Sequence, residues 1–308
     1  MEIIKDIKAA QIPANVATIG FFDGVHLGHR DLIEQVRSIA SERGLQSLLI
    51  TFQNHPRTIL QTDYVPELLS TPNEKLCLLA ETKVDMCFPL NFTKAMSQLS
   101  AKEYMERYLR DMLNVKVLVV GYDNHFGNKS KESFSEYKKY GEKMGIEVVK
   151  AKQFLFEGKN VSSSAVRFCL EVGDVQKAAL LLGRPYSFDG IVVKGEHLGH
   201  TIGFPTANIN PDVIHKMLPM DGSYAVKVAY LNHDYAGMMN IGFRPTFSSE
   251  KKRTVEVYIL NFTEEIYGEE IHLDFVQRLR AEKRFNSPEE LREQLRKDVE
   301  KVERIVKL

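Results

Sequence analysis

Tryptophan is absent from this 308-residue chain, and cysteine is scarce, with three residues. Cys77, Cys87 and Cys169 form an odd set without CxxC spacing or a neighbouring histidine, which argues against a disulfide framework and a thiolate metal site. They read as packing residues in a reducing compartment. Net charge is missing too, since 41 Lys and Arg balance 41 Asp and Glu. No overall field favours a polyanion, so nucleic acid is not expected as a partner, whereas a small phosphate ligand needs only a local site. Long apolar runs are also lacking. The segment 117-VLVV-120 is far too short to cross a bilayer, and the start MEIIKDIKAA carries acids and no apolar stretch of signal-peptide length. The expectation is a soluble, cytoplasmic protein without a membrane partner.

The remaining composition, 44% hydrophobic and 27% charged with 19 Gly and 11 Pro, is that of a globular protein. At ~150 residues per domain the length suggests about two domains. From residue 14 to about 183, short apolar runs alternate with longer amphipathic ones, the texture of an α/β unit with a parallel sheet. Expected strands are 16-VATIGF-21, 47-SLLITF-52, 115-VKVLVVG-121 and 146-IEVV-149. A helix over about 29–42 places Leu32, Ile33, Val36, Ile39 and Ala40 on one face and ends at Gly44. Thr71 with Glu74, and Ser100 with Glu103, have the spacing of capping boxes. After 183-GRPYSF-188 the helical period gives way to alternating segments, 189-DGIVVKG-195, 223-SYAVKVAYL-231 and 254-TVEVYILNF-262. This half reads as antiparallel β, closed into a small barrel or sandwich to avoid open edges. Ser287, Pro288 and Glu290 then open a mixed-charge helix to about residue 305. The expected domains are 1–184 and 185–308.

Directly after the first expected strand comes 20-GFFDGVHLGH-29, followed by the first amphipathic helix. A strand-to-helix turn lies at the carboxyl end of a parallel sheet, where helix amides attract phosphate. Gly20, Gly24 and Gly28 permit close backbone approach, and His26 and His29 are placed to stabilise charge on a nucleotide phosphate. An isolated HxxH is more often coincidence, and a zinc pair here has no obvious third ligand. The longer string resembles the HxGH signature of nucleotidylyltransferases, in its flavin-adenylating form. Three further segments fit that family in order: 51-TFQNHP-56, 121-GYDNHFG-127 and 162-SSSAVR-167. The last could equally be a helix cap. The resemblance implies ATP contacts from Gly20, Phe21, Asp23, Gly24, Gly28, Asp123, Ser163, Ser164 and Arg167, catalytic roles for His26 and His29, and a flavin-side or structural place for His55. Ser164 stands where threonine is usual, Gln53 and Asn54 where Glu-Pro is usual, and 128-NKSKES-133 departs from a basic, glycine-containing stretch.

The second half carries 203-GFPTANI-209, preceded by 190-GIVVKGEHLGHTI-202. In extended chain Thr206 and Asn208 share a face, so a hydroxyl and an amide oxygen can reach one hard cation, although such a turn is more often plain hydrogen bonding. Together with 237-GMMNIGFRPTF-247, 254-TVEVYILNF-262, 265-EIYGEEIHLDF-275 and 279-LRAEKRF-285, these runs resemble the riboflavin kinase domain. The resemblance implies Glu256 as general base, ATP contacts from Gly195, His200, Gly203, Pro205, Thr206 and Asn208, Mg²⁺ on Thr206 and Asn208, and flavin contacts from Asn240, Arg244 and Arg280. By itself Glu256 reads as a rim charge on a half-exposed strand. His200 replaces an arginine common in the family, and Tyr258 a histidine; the weaker, pH-dependent charge of His200 is expected to lower ATP affinity.

Both motif sets occur in the order seen in the bacterial bifunctional riboflavin kinase/FAD synthetase family. What that implies is an N-terminal Rossmann-like nucleotidylyltransferase domain with a parallel sheet and a C-terminal six-stranded antiparallel β-barrel with a terminal helix. The expected partners are ATP, riboflavin and FMN with Mg²⁺, flavins being substrate and product; homo-oligomerisation is left open. Two rival readings stand beside this one. The first is an adenylyltransferase for another phosphate with a regulatory β module, which the second motif set opposes. The second is a non-catalytic flavin-binding protein with decayed sites, which His200 and Tyr258 favour and the retained His26, His29, Thr206, Asn208 and Glu256 oppose.

Overall fold

The computed structural model describes residues 1–5, 11–61, 63–122, 126–127, 132–195, 202–210, 216–243 and 253–308. The chain forms two compact units, Met1–Ser162 and Ser163–Leu308.

The first unit runs β1 (Glu2–Ile3), β2 (Asn15–Ile19), α1 (Leu27–Arg43), β3 (Gln46–Phe52), α2 (Pro56–Leu60), α3 (Pro72–Ala80), β4 (Met86–Leu90), α4 (Lys94–Ser97), α5 (Ala101–Tyr104), β5 (Val115–Val120), α6 (Phe134–Met144), β6 (Glu147–Lys150) and the small β7 (Leu155–Phe156) and β8 (Lys159–Asn160) pair. The six-stranded sheet has the order β1-β4-β3-β2-β5-β6, and every pairing is parallel. From β2 the chain winds outward through β3 and β4, then returns to lay β5 on the other side of β2. That reversal makes a crevice at the carboxyl end of β2, where ligands bind in such sheets. β2 is buried along its whole length, as a central strand covered on both faces requires.

The expected helix over 29–42 is α1, which ends at Gly44 with φ 62°. Both predicted capping boxes form, at Thr71–Glu74 and Ser100–Glu103. The second helix does not remain α-helical: Met105–Met112 is π-helical, and Leu113 N donates to Tyr108 O. The strand β4 is absent from the sequence reading because Pro89 lies inside it. It is tolerated there because β1 pairs only with Met86 and Cys87, so the missing N–H falls where β4 has become an edge. Cys87 and Cys169 are buried packing residues as expected, whereas Cys77 is exposed.

The second unit runs α7 (Ser163–Glu171), α8 (Val175–Leu182), β9 (Tyr186–Val193), β10 (Ala207–Ile209), β11 (Gly222–Tyr230), β12 (His233–Phe243), β13 (Arg253–Ile259), β14 (Glu270–Arg280) and α9 (Pro288–Ile305). The six strands close in the order β10-β13-β12-β11-β14-β9 with antiparallel pairing throughout. Alternation sends Val255, Val257 and Ile259 inward and leaves Glu256 and Tyr258 on the outer face. α9 covers part of that face, with Val302 and Val306 packed on Ala225, Met238 and Leu260. Ser287 caps α9 by accepting from Glu290 N, but the Glu290 carboxylate accepts from Asn286 N, one residue before the expected capping-box partner. The turn from α8 to β9 is short, at Gly183 with φ 74°. The 184/185 boundary follows this change from helix to strand, whereas the compact division assigns α7 and α8 to the barrel unit, where α8 packs on β9 and β14.

On the barrel surface, the ring of His272 lies between Asp189 (2.6 Å) and Asp274 (3.3 Å), and these hydrogen bonds raise its pKa to about 9. A group raised above its unfolded value of 6.5 stabilises fully below that value, and the contribution is lost as pH rises through about 9. With 42% side-chain exposure the effect is expected to stay below ~1 kcal/mol. Urea midpoints of wild type and His272→Gln are therefore expected to differ at pH 6 and converge near pH 9.5; a constant difference would remove the titration from the account.

Candidate active sites

The loop after β2 turns back sharply on itself. Phe22 (φ 55°), Gly24 (φ 74°) and Val25 (φ 41°) all lie in the left-handed region. For Phe22 and Val25 this costs of order 1 kcal/mol each, offset by burying both side chains completely. Gly28 is small for a different reason than ligand approach, because a Cβ there would lie 3.0 Å from the Val161 carbonyl. His26 is the N-cap of α1, its Nδ1 accepting from His29 N at 3.2 Å. The His26 and His29 rings stack with centroids 3.6 Å apart. His29 Nδ1 is buried and has no hydrogen-bond partner among the described residues. Burial, His26 and Lys75, in that order, push the His29 pKa well below the usual imidazole value.

Asp23 accepts from the Leu69 and Ser70 amides at 3.0 and 3.1 Å. It therefore ties the loop 69–70 under the motif, a structural use of a residue expected at ATP. His55 is the N-cap of α2 and its ring lies 4.6 Å from Phe21 and 5.4 Å from Tyr64. Tyr64 lines a cavity of about 710 Å³ between α2 and α4, with Ile59, Gln61, Lys94 and Gln98. Asn54 grips Phe92 reciprocally, donating to its carbonyl and accepting from its amide, both at 2.9 Å. Lys75 was missed by sequence reasoning, since a lysine in the first turns of a helix reads as solvated. It is 3% exposed, donates to the Phe52 carbonyl at 2.7 Å and sits 4.1 Å above the Phe21 ring. Burial lowers its pKa to about 8.

In the barrel unit, Glu256 on β13 stands across from Asn208 on β10 and from Asn240 on β12. Cross-strand partners share a face, so one half-buried carboxylate is flanked by two amides. Thr206 Oγ1 donates to Glu256 Oε2 at 3.4 Å. Gly195 is required beside them: a Cβ there would lie 2.1 Å from Asn208 Nδ2. Thr206, Asn240, Glu256 and Arg280 line a cavity of about 660 Å³ whose other wall is Phe285, Ser287 and Leu291 of the segment entering α9. This volume suits a small aromatic ligand with a polar tail. Arg280 is oriented by fully buried Asp298 of α9, Nε to Oδ2 at 2.7 Å, and Gln294 satisfies the other carboxylate oxygen at 2.9 Å. Phe204 packs edge-on against Tyr258, so the tyrosine that replaces histidine serves as a wall.

Gly203 has φ 82°, and Pro205 leads into Thr206. Ser163, Ser164 and Arg167 stand at the start of α7, which opens within the 162–167 segment and belongs to the second compact unit. Asp123, His200 and Arg244 lie outside the described residues.

A helix N-terminus at a parallel-sheet crevice and a carboxylate beside an aromatic-lined cavity are features that a two-site nucleotide-dependent transferase can use. Residues 8–165 match the FAD synthetase family and residues 182–306 the riboflavin kinase family. The class is thus a flavin-modifying transferase. Similar proteins named bifunctional riboflavin kinase/FMN adenylyltransferase occur in Bacillus subtilis, 36% identical over 96% of this chain and 92% of that protein, and in Escherichia coli K12, 35% identical over 97% and 96%. The chain belongs to this bifunctional family, whose members phosphorylate riboflavin to FMN and adenylylate FMN to FAD. A solved structure from Streptococcus pneumoniae, named a macrolide-efflux protein, superposes with TM-score 0.87 at 31% identity over 98% of both chains. The efflux name is that protein's own; among the described residues here no helix is long and apolar enough to cross a membrane.

The Gly195 contact has a specific consequence. Gly195→Ala is expected to displace the Asn208 amide and lower FMN formation by at least ~10-fold while leaving FAD formation from supplied FMN unchanged, measured by chromatographic separation of the flavins. Unimpaired FMN formation would mean that Asn208 is not needed in this position.

Proposed function

We propose that the two reactions are divided between the halves of the chain, adenylylation in residues 1–184 and phosphorylation in residues 185–308, with Glu256 as the base of the kinase step. The observation that carries this is the register Asn208–Glu256–Asn240, which holds one carboxylate between two neutral amides, with Glu256 and Asn240 at the wall of the barrel cavity. The terminal ribityl hydroxyl is an alcohol of high pKa. As its oxygen attacks the γ-phosphorus of ATP, Glu256 takes its proton, the bond from the γ-phosphorus to the bridging oxygen breaks, and ADP leaves. Asn240 and Arg280 hold the flavin, and Arg280 is kept in place by Asp298.

Thr206 and Asn208 offer neutral oxygens beside the carboxylate, and among the described residues no group of three or more His, Cys, Asp or Glu forms a metal cage. Such a sparse donor set fits Mg²⁺, which keeps waters and substrate phosphates as most of its ligands. When bound, the ion neutralises phosphate charge. Thr206 additionally orients Glu256 through its hydroxyl.

For adenylylation no base is needed, because the FMN phosphate is already an anion. Its oxygen attacks the α-phosphorus of ATP, the α–β bridging bond breaks and diphosphate leaves. The loop amides and the stacked His26–His29 pair receive the phosphates, and His29 Nδ1, buried without a partner among the described residues, supports a polar contact made only with substrate. His55, through Phe21 and Tyr64, borders the cavity proposed for the flavin of FMN.

Two substitutions separate the sites. Glu256→Gln is expected to lower FMN formation by ~10²–10⁴-fold and to spare FAD formation from FMN, whereas His29→Ala should do the reverse. Both reactions are followed by flavin chromatography with each substrate supplied in turn. Equal loss of both activities in either variant contradicts the two-site division.

A further inference from the structure

Lys75 is the buried cation for which the chemistry above has no use. It lies in the first turns of α3, 3% exposed, with its ammonium donating to the Phe52 carbonyl at the end of β3 (2.7 Å) and lying 4.1 Å from the centre of the Phe21 ring. Phe21 belongs to the phosphate loop, and the neighbouring Phe22 ring lies 5.2 Å from that of His29. A lysine desolvated to this degree is costly, and an aliphatic residue would pack in its place without that cost. We propose that Lys75 is a positioning residue of adenylyl transfer, a fixed cation beneath the phosphate loop that presets the Phe21 ring and His29 for an arriving triphosphate. This rests on the assignment of residues 20–29 to the adenylylation site.

The titratable groups felt by Lys75 are Asp23 from the loop after β2, His29 from α1 and the Cys87 thiol of β4. The thiol is pushed up to about 12 by burial and stays neutral. His29 in turn is influenced by His26 and Lys75, and both disfavour its protonation. In the free protein His29 is therefore held towards its neutral form while the ammonium supplies a field from below. A triphosphate adds negative charge beside His29 and reverses that balance, so His29 takes up a proton from solvent as ATP binds. Neutralising Lys75 removes both the attraction and the restraint on His29. Because the Lys75 pKa is lowered to about 8, the ammonium is present below that value and lost as pH rises through it.

The test measures kcat/KM for FAD formation from supplied FMN between pH 6 and 9.5 in the full chain, with riboflavin phosphorylation as the control. Alongside it, His29 is titrated by NMR of its ring Cε1–H, assigned by its loss in His29→Ala. Wild type is expected to lose adenylylation as pH rises through about 8. Lys75→Arg, whose charge persists, should move that fall to higher pH. Lys75→Met should lower the rate roughly tenfold at pH 7, flatten the alkaline fall and raise the titration midpoint of His29, with the kinase unaffected. An unchanged His29 midpoint in Lys75→Met together with an unchanged alkaline fall in Lys75→Arg overturns the proposal. If Lys75→Met does not fold, the Lys75→Arg profile decides alone. Failure of the site assignment is distinguishable, because His29→Ala would then form FAD at the wild-type rate.

Discussion

The bond from the His29 amide to His26 Nδ1 decides the form of the α/β unit's site. One imidazole nitrogen ends the loop, caps α1 and sets the second imidazole face to face with the first. Capping normally falls to Ser, Thr, Asp or Asn, which are small and leave the helix entrance open. A histidine cap fills that entrance with a ring that can carry charge. The left-handed turn at Phe22, Gly24 and Val25 is what delivers the chain to this cap within a few residues of β2, and the burial of Phe22 and Val25 holds the turn in place. Asp23 ties the loop 69–70 to it, so α3, and Lys75 with it, is drawn under the same loop.

The barrel meets a comparable demand by other means. A carboxylate proposed to accept a proton must be partly removed from water yet kept oriented, and the register gives Glu256 such a setting. Asn208, Glu256 and Asn240 are cross-strand neighbours on three consecutive strands, with Thr206 bonded to the same carboxylate. The buried Arg280–Asp298 pair makes α9 part of this wall, since the arginine that lines the cavity is held by the helix that closes it. Removing one partner of such a pair leaves a buried charge uncompensated, so fold and site are coupled at this position.

The two reactions of the family are served here without a chain-wide positive charge, since 41 Lys and Arg balance 41 Asp and Glu. At neutral balance, attraction for phosphate has to be local, and the proposed assignment takes it from backbone amides and imidazoles after β2 and from neutral oxygens beside Glu256. That arrangement confines the field to the sites and leaves the surface to mixed pairs such as Arg43 with Glu147 and Lys227 with Asp234.

Much of this was legible in the amino-acid order. Short aliphatic runs located β2, β3, β5 and β6, the 3.6-residue period located α1, alternation marked the barrel strands, Thr71 and Ser100 marked helix starts, and the motifs around residues 20–29, 203–209 and 256 named both chemistries, because these signals are local or carried by whole strings of residues. β4 escaped because Pro89 hides a strand whose edge position only its neighbours reveal. The duty of Asp23 at loop 69–70 and the part played by Asp298 were likewise invisible, each depending on a partner in another element of the chain; the π-helical turn at Met105–Met112 left no signal in the residue pattern either. Lys75 shows the division most plainly. By sequence it is one more charged residue on an amphipathic helix, and only the Phe21 ring over its ammonium and the Phe52 carbonyl beside it make it a buried cation, since desolvation is a property of the surroundings and not of the residue.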